Sequence, residues 1–334
     1  MKYLTVIMMS CAVLFAFYGC TGSSNPAAAS YRPPAAAATA VPGLVDWREI
    51  DSPVETKGVF SHVLIKAGSK TALIGGKDSA GYLKAALITS DFEKWSASDA
   101  EPGFGEREDF AYCTDGKKTY IIGGYYTDGK TEKYYDDTWE TYGAVTFTAV
   151  PAEKKPAPAR GLRAAVFKDS IRLSGGFDGK NYIDDVYRFD VKKGWIQEDR
   201  EKEKFEARAG HGFIVHDGKL WVIGGKGRDG KFADVWNSSN GVDWEILTEN
   251  AMFGPRSDFA CFNFGGRMWV VGGELQDKKT AGDVWWSVNG SSWVQAAKDA
   301  FPSRSYPGYI ILNDSVYVFG GVSDEIKNDG WWSK

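Results

Sequence analysis

The sequence predicts an all-β fold, a six-bladed β-propeller of four-stranded antiparallel blades whose ring closes by pairing the two ends of the chain. Three observations lead there. Di-glycines that end a hydrophobic run recur at Gly75-Gly76, Gly123-Gly124, Gly175-Gly176, Gly224-Gly225, Gly272-Gly273 and Gly320-Gly321, which are 48, 52, 49, 48 and 48 residues apart. Each period holds four short β-rich runs separated by turn dipeptides, and a period of this size implies a radial array, because one small sheet cannot bury both faces unless neighbours stack on them. The last period stops before its fourth strand. That strand stands at the other end of the chain, where Leu44-Val45-Asp46-Trp47-Arg48-Glu49-Ile50 copies Gly241-Val242-Asp243-Trp244-Glu245-Ile246.

The repeat is clearest over residues 208–247. Strand A reads Gly-His-Gly-Phe-Ile-Val, strand B Leu-Trp-Val-Ile-Gly-Gly, strand C Asp-Val-Trp-Asn-Ser and strand D Val-Asp-Trp-Glu-Ile-Leu. Asp217-Gly218, Asp229-Gly230 and Asn240-Gly241 separate them, and such pairs tolerate the positive φ that tight hairpin turns require. Strand C carries an aromatic residue (Trp139, Tyr187, Trp236, Trp285, Trp331), and a Trp opens strand D (Trp95, Trp195, Trp244, Trp293), with Phe147 in its place in blade two. On these motifs nearly all of the chain beyond residue 43 resembles the kelch family of β-propellers.

Ahead of the ring, Lys2 precedes an uncharged, mostly apolar run from Tyr3 to Tyr18 and then Gly19-Cys20. This is the layout of a secretory signal, too short for a comfortable transmembrane span. It resembles a bacterial lipoprotein signal over residues 1–19, which implies lipid on Cys20 and, with Thr21 rather than Asp after it, an outer-membrane destination on either the periplasmic or the cell-surface side. Residues 20–42, rich in Ala, Pro and Ser, form a tether. The propeller fills 43–334 as one domain, and a monomer is expected. A net charge of -4 with no basic stripe argues against nucleic acid as a partner. Cys113 and Cys261 fall in strand A of opposed blades and, by strand alternation, point to opposite faces of their sheets, so buried thiols are expected rather than a disulfide.

In a four-stranded meander the D–A and B–C loops emerge on one face, and the candidate site residues lie there. Arg107, Arg160, Arg208, Arg256 and Arg304 each stand 15 or 16 residues before a di-glycine, while blade one has Val59. Five guanidiniums around one mouth would suit a carboxylate or other anion. The same recurrence fits a structural role, holding carbonyls or acidic side chains of a neighbouring blade. Glu101, Glu153, Glu201 and Glu249, six or seven residues upstream, are the acids that would pair with them.

Departures from the repeat carry more information. Blades two and five alone contain Arg-x-Asp-Phe-Ala, which sets Asp109 and Asp258 opposite each other; blade three adds Arg163, blade four His211 and blade six Tyr306. The long B–C loop of blade two contains Tyr125, Tyr126, Tyr134 and Tyr135, materials for sugar or peptide recognition or for packing on the blade beneath. Galactose oxidase also has kelch repeats, but its copper site needs a pair of His ligands, and His62, His211 and His216 do not supply one. With no nucleophile triad, phosphate loop or zinc spacing, no cofactor is expected. The expectation is a non-catalytic module for a protein or glycan ligand, in which charge reversal at Arg256 and Arg304 weakens capture and leaves stability nearly unchanged. The alternative comes from resemblance to the secreted six-bladed kelch N-acetylneuraminate mutarotases, which implies an acid and an arginine at the mouth, here Glu101 and Arg107.

Overall fold

The computed structural model describes residues 43–50, 58–143, 145–198 and 204–334. The expected signal, Cys20, the tether up to residue 42 and Glu201 lie outside the described residues. Six four-stranded antiparallel sheets form the ring. Blade four is the most regular, with strands Gly212–His216, Lys219–Lys226, Lys231–Ser238 and Glu245–Thr248. Its A–B turn places Asp217 at φ 47° and Gly218 at φ 67°, the left-handed pair that a tight hairpin demands. In blade six, strands Gly308–Leu312, Ser315–Phe319 and Gly330–Ser333 are completed by Arg48–Glu49, with Arg48 opposite Trp332 and Glu49 opposite Trp331. The copied strand therefore closes the ring as expected.

Side chains alternate along each strand toward the blade before and the blade after. The core is accordingly six interblade layers. Between blades four and five, Ile214, Trp221 and Ile223 meet Phe259, Met268 and Val270; between blades five and six, Phe262 and Trp269 meet Trp47, Val316 and Val318. Cys113 faces the layer shared with blade three and Cys261 the layer shared with blade four. Both are free, buried thiols, and burial pushes both pKa values upward, Cys261 to about 12.

The di-glycines lock one blade to the next. The second glycine donates its N–H across the interface, Gly76 to the Arg107 carbonyl at 3.0 Å, Gly124 to Ala159 at 2.9 Å, Gly176 to Arg208 at 2.8 Å, Gly273 to Arg304 at 2.9 Å and Gly321 to Val59 at 2.7 Å. Positive φ is needed at these positions, and a Cβ on Gly76 would lie 2.5 Å from the Phe60 carbonyl oxygen.

Candidate functional site

The repeated arginines divide into two kinds. Arg107, Arg208, Arg256 and Arg304 are 0–2% exposed and point into their own blades, away from the mouth. Each donates Nη1 to the carbonyl of the first glycine of its di-glycine, at 2.9–3.0 Å. Each also grips a carboxylate with both Nη atoms, at 2.5–3.0 Å: Asp137, Asp234, Asp283 and Asp329 respectively. The same aspartates accept the indole N–H of the strand C Trp139, Trp236, Trp285 and Trp331. Burial pushes Asp137 and Asp329 up, but the arginine's hydrogen bonds and charge outweigh it and hold both below the ordinary carboxylate range.

A phenylalanine three residues before each of these arginines stacks on it and meets the strand D aromatic edge-on, as in Phe253 with Trp293 at 4.9 Å and Phe301 with Trp47 at 5.2 Å. The anion-binding expectation is thus corrected at four arginines: both Nη atoms are engaged by the carboxylate, and burial keeps the rest of the guanidinium out of a ligand's reach. The expected glutamate partners are corrected too. The partner is the aspartate of an Asp-x-Trp motif at strand C, a signal present in the sequence in the same four blades. Glu101 is exposed on the D–A loop while Arg107 is buried, so these two do not form an acid–arginine pair at the mouth.

Arg160 is different because it stands 15 residues before its di-glycine, where the other four stand 16 before theirs. The framework position in blade three is Ala159, fully buried, and one residue further along an extended chain the side chain faces the other way. Arg160 stacks over Tyr125 at 4.8 Å and Phe177 at 5.6 Å and makes no ion pair among the described residues. Asp185, at the blade-three counterpart of these half-buried aspartates, accepts hydrogen bonds from Tyr187 and Gln197 instead.

Two residues after the framework position, every blade turns left-handed: Ser61, Asp109, Gly161, Gly210, Asp258 and Tyr306 have φ between 51° and 67°. Their backbones form a circumferential hydrogen-bond chain, Ser61 to Tyr306, Tyr306 to Asp258, Asp258 to Gly210, Gly210 to Gly161 and Gly161 to Asp109, at 2.7–3.2 Å. A left-handed non-glycine residue costs about 1–2 kcal/mol. Four blades nevertheless keep a side chain there, and such retained strain clusters at functional sites. The glycines make room: a Cβ on Gly210 would lie 2.2 Å from Asp258 Oδ1.

This ring brings together several predicted site residues. Arg163 lies between the opposed carboxylates, 3.6 Å from Asp109 and 3.7 Å from Asp258. Asp258, fully buried, accepts from Lys226 Nζ at 2.8 Å and Ser257 Oγ at 2.9 Å, and Lys226 also donates to the Tyr306 hydroxyl at 2.8 Å. Burial pushes Asp109 up, against the pull of Arg163, whereas the Lys226 and Arg163 charges hold Asp258 low in spite of its burial. Lys226 was not foreseen, since it follows its di-glycine as an ordinary repeat residue.

Around the ring, Tyr82 donates to Glu108 at 3.1 Å and stacks on Tyr126 at 4.9 Å, while Tyr125 packs on Tyr134 at 4.9 Å. Below the ring lies a cavity of about 100 Å³ lined by residues of all six blades. The Tyr112 and Tyr309 rings pack on each other at 6.2 Å, with the Tyr309 hydroxyl donating to the Cys261 carbonyl at 2.8 Å, and both line this cavity and a separate one of about 530 Å³ that continues toward the opposite face. His62 and His211 also line the upper cavity, but burial drives their pKa values down, His62 to about 3, and neither ring makes a hydrogen bond. They wedge between blades: a Cβ on Gly308 would lie 2.2 Å from His62 Nε2 and one on Gly175 2.7 Å from His211 Cε1. Among the described residues no group of three or more His, Cys, Asp or Glu side chains could hold a metal ion.

Known proteins resemble the chain in fold and in sequence. In structure the chain superposes on YjhT with a TM-score of 0.66 at 16% identity, over 83% of this chain and 95% of that one, a likeness of fold. Among curated proteins it is 25% identical over 215 residues to the leucine-zipper-like transcriptional regulator 1 homolog of Drosophila melanogaster, covering 57% of this chain and 21% of that protein. It is 24% identical over 197 residues to a probable serine/threonine-protein kinase of Dictyostelium discoideum, covering 57% and 15%. The chain thus matches about a fifth or less of the length of these relatives. The profile of the KLHDC2/KLHL20/DRC7 kelch-repeats domain matches residues 61–245, more than half of the sequence. With six blades, their di-glycines and this match, the chain belongs to the kelch-repeat family.

Proposed function

We propose that the protein is a membrane-anchored, extracytoplasmic kelch propeller that captures an anionic protein or glycan ligand at the mouth formed by its D–A and B–C loops. A kelch propeller supports a protein-binding module, and the chemistry of the mouth narrows the ligand. The observation that carries the reading is Arg160, which packs on Tyr125 and Phe177 without an ion-pair partner among the described residues and, like Arg163 and Lys226, lies within electrostatic reach of Asp109. A guanidinium pre-oriented on aromatic rings loses little freedom on binding and offers a planar fork to a carboxylate. The tyrosines around it supply stacking faces for a sugar ring or a peptide. Anchoring through lipid on Cys20, with residues 20–42 as the tether, follows from the signal-like N-terminus. The test is capture of the full chain on a panel of acidic and neutral glycans and surface proteins, with Arg160→Ala beside wild type. Capture of acidic ligands that Arg160→Ala abolishes supports the reading, and equal capture of neutral ligands by both proteins overturns it.

One observation favours a second reading, epimerisation of an anionic monosaccharide. Asp109, pushed up by burial and 3.6 Å from Arg163, is an acid beside an arginine at the mouth. Acid–base catalysis of sugar ring opening needs such a proton donor. Anomer exchange of N-acetylneuraminate, followed by NMR on fresh substrate, tests it; a rate equal to that in buffer removes it.

A further inference from the structure

We propose that Asp109 couples anion capture to a proton: ionised, its carboxylate competes with the incoming anion for Arg163, and protonated, it releases Arg163 and offers the ligand a hydrogen bond. This rests on reading the mouth as an anion site.

The geometry sets Arg163 between two acids without closing on either, since 3.6 Å to Asp109 and 3.7 Å to Asp258 both exceed hydrogen-bond length. Asp258 is already satisfied on one oxygen by Lys226 and Ser257. The Asp109 carboxyl, 12% exposed, makes no hydrogen bond among the described residues. Its backbone is left-handed at φ 51°, and its side chain lines the cavity beneath the ring together with Arg163 and Asp258. Its neighbours come from every blade. Glu108 precedes it in the chain, Arg160 and Arg163 lie on blade three, Lys226 and His211 on blade four, Asp258 on blade five, Tyr306 on blade six and His62 on blade one.

Burial drives the histidine pKa values down, so the proton-linked groups here are the carboxyls. Burial pushes Asp109 and Glu108 up, whereas Asp258 is held down. A bound anion adds negative charge beside Asp109 and makes its proton harder to remove, so by linkage the protonated form binds more tightly. Capture is therefore strongest at low pH and weakens as pH rises through the Asp109 midpoint, above the usual aspartate value, by about tenfold per pH unit for one proton.

The test uses the full chain and D-glucuronate, a carboxylate on a hydroxylated ring, titrated by calorimetry from about pH 4.5 to 8.5. In wild type the affinity is expected to fall about tenfold per unit on the alkaline side. Glu108→Gln keeps that slope, and Asp109→Asn removes it while holding the low-pH affinity throughout. Infrared difference spectra read the proton without ligand: the protonated-carboxyl band that titrates in wild type is lost in Asp109→Asn. A flat wild-type affinity, an unchanged slope in Asp109→Asn or an unchanged carboxyl band overturns the coupling alone. No binding of glucuronate at any pH overturns the anion site on which it rests.

Discussion

Arg256 and Arg160 are one side-chain type in two electrostatic situations. Arg256 is 2% exposed and held bidentate by Asp283. Removing one partner of a buried pair strands the other charge, which costs about 3–5 kcal/mol. Arg256→Ala is therefore expected to lower unfolding free energy by that order in urea titrations, with Arg256→Ala/Asp283→Ala losing less than the two single changes together. The same holds for Arg304 with Asp329, so the expectation that charge reversal at Arg256 and Arg304 leaves stability nearly unchanged is replaced by a large loss. Arg160 supports no such pair. Arg160→Ala, which loses two ring contacts and no ion pair, should cost about 1–2 kcal/mol in urea titrations, less than Arg256→Ala, while losing acidic-ligand capture. A pH dependence follows from Asp137 and Asp329. Their folded pKa values lie below the ordinary value, so their contribution is complete above about pH 4 and is lost as pH falls through the folded values. Melting temperatures measured from neutral to acid pH should fall in that window, and less steeply in Arg107→Ala.

At the level of the elements, the left-handed turn before each inner strand decides what the mouth contains. It carries the interblade hydrogen-bond chain and aims four side chains, Ser61, Asp109, Asp258 and Tyr306, toward one axis. At the two remaining positions, Gly210 leaves Asp258 its space and Gly161 clears the Ala209 methyl. Gly210→Ala adds a Cβ at φ 64° and 2.2 Å from Asp258 Oδ1, so the turn and the carboxylate cannot both stay in place. We expect a loss of at least about 1–2 kcal/mol, measured by chemical denaturation, with Lys226 and Tyr306 displaced from Asp258. The offset of Arg160 belongs to this scale as well. The sequence spacing of 15 against 16 was visible, but its consequence depends on which face of an extended strand meets the mouth.

For the whole ring, stability is shared among six similar interblade layers, and none is complete without its neighbour. Arg48–Glu49 closes the last sheet with two residue pairs, while Leu44 and Trp47 fill the layer between blades five and six. A chain lacking residues 1–50 should leave the strand Gly330–Ser333 as a bare edge. It should melt at lower temperature and associate, seen by scattering, where the full chain unfolds in one cooperative transition.

By itself the sequence determined the all-β class, six blades, four strands in each and the strand that closes the ring, because period, turn chemistry and core alternation are local properties written into every repeat. It also held the Asp-x-Trp signal for the buried arginines' partners, in the four blades whose arginine stands 16 residues before its di-glycine. The tertiary structure decided which charged side chains remain available. Whether an arginine is a framework strut or a ligand contact depends on its face of the strand and on a carboxylate some 25–30 residues away. The meeting of Asp109, Arg163, Lys226, Asp258 and Tyr306 exists only because five blades converge on one axis, a juxtaposition that no single repeat encodes.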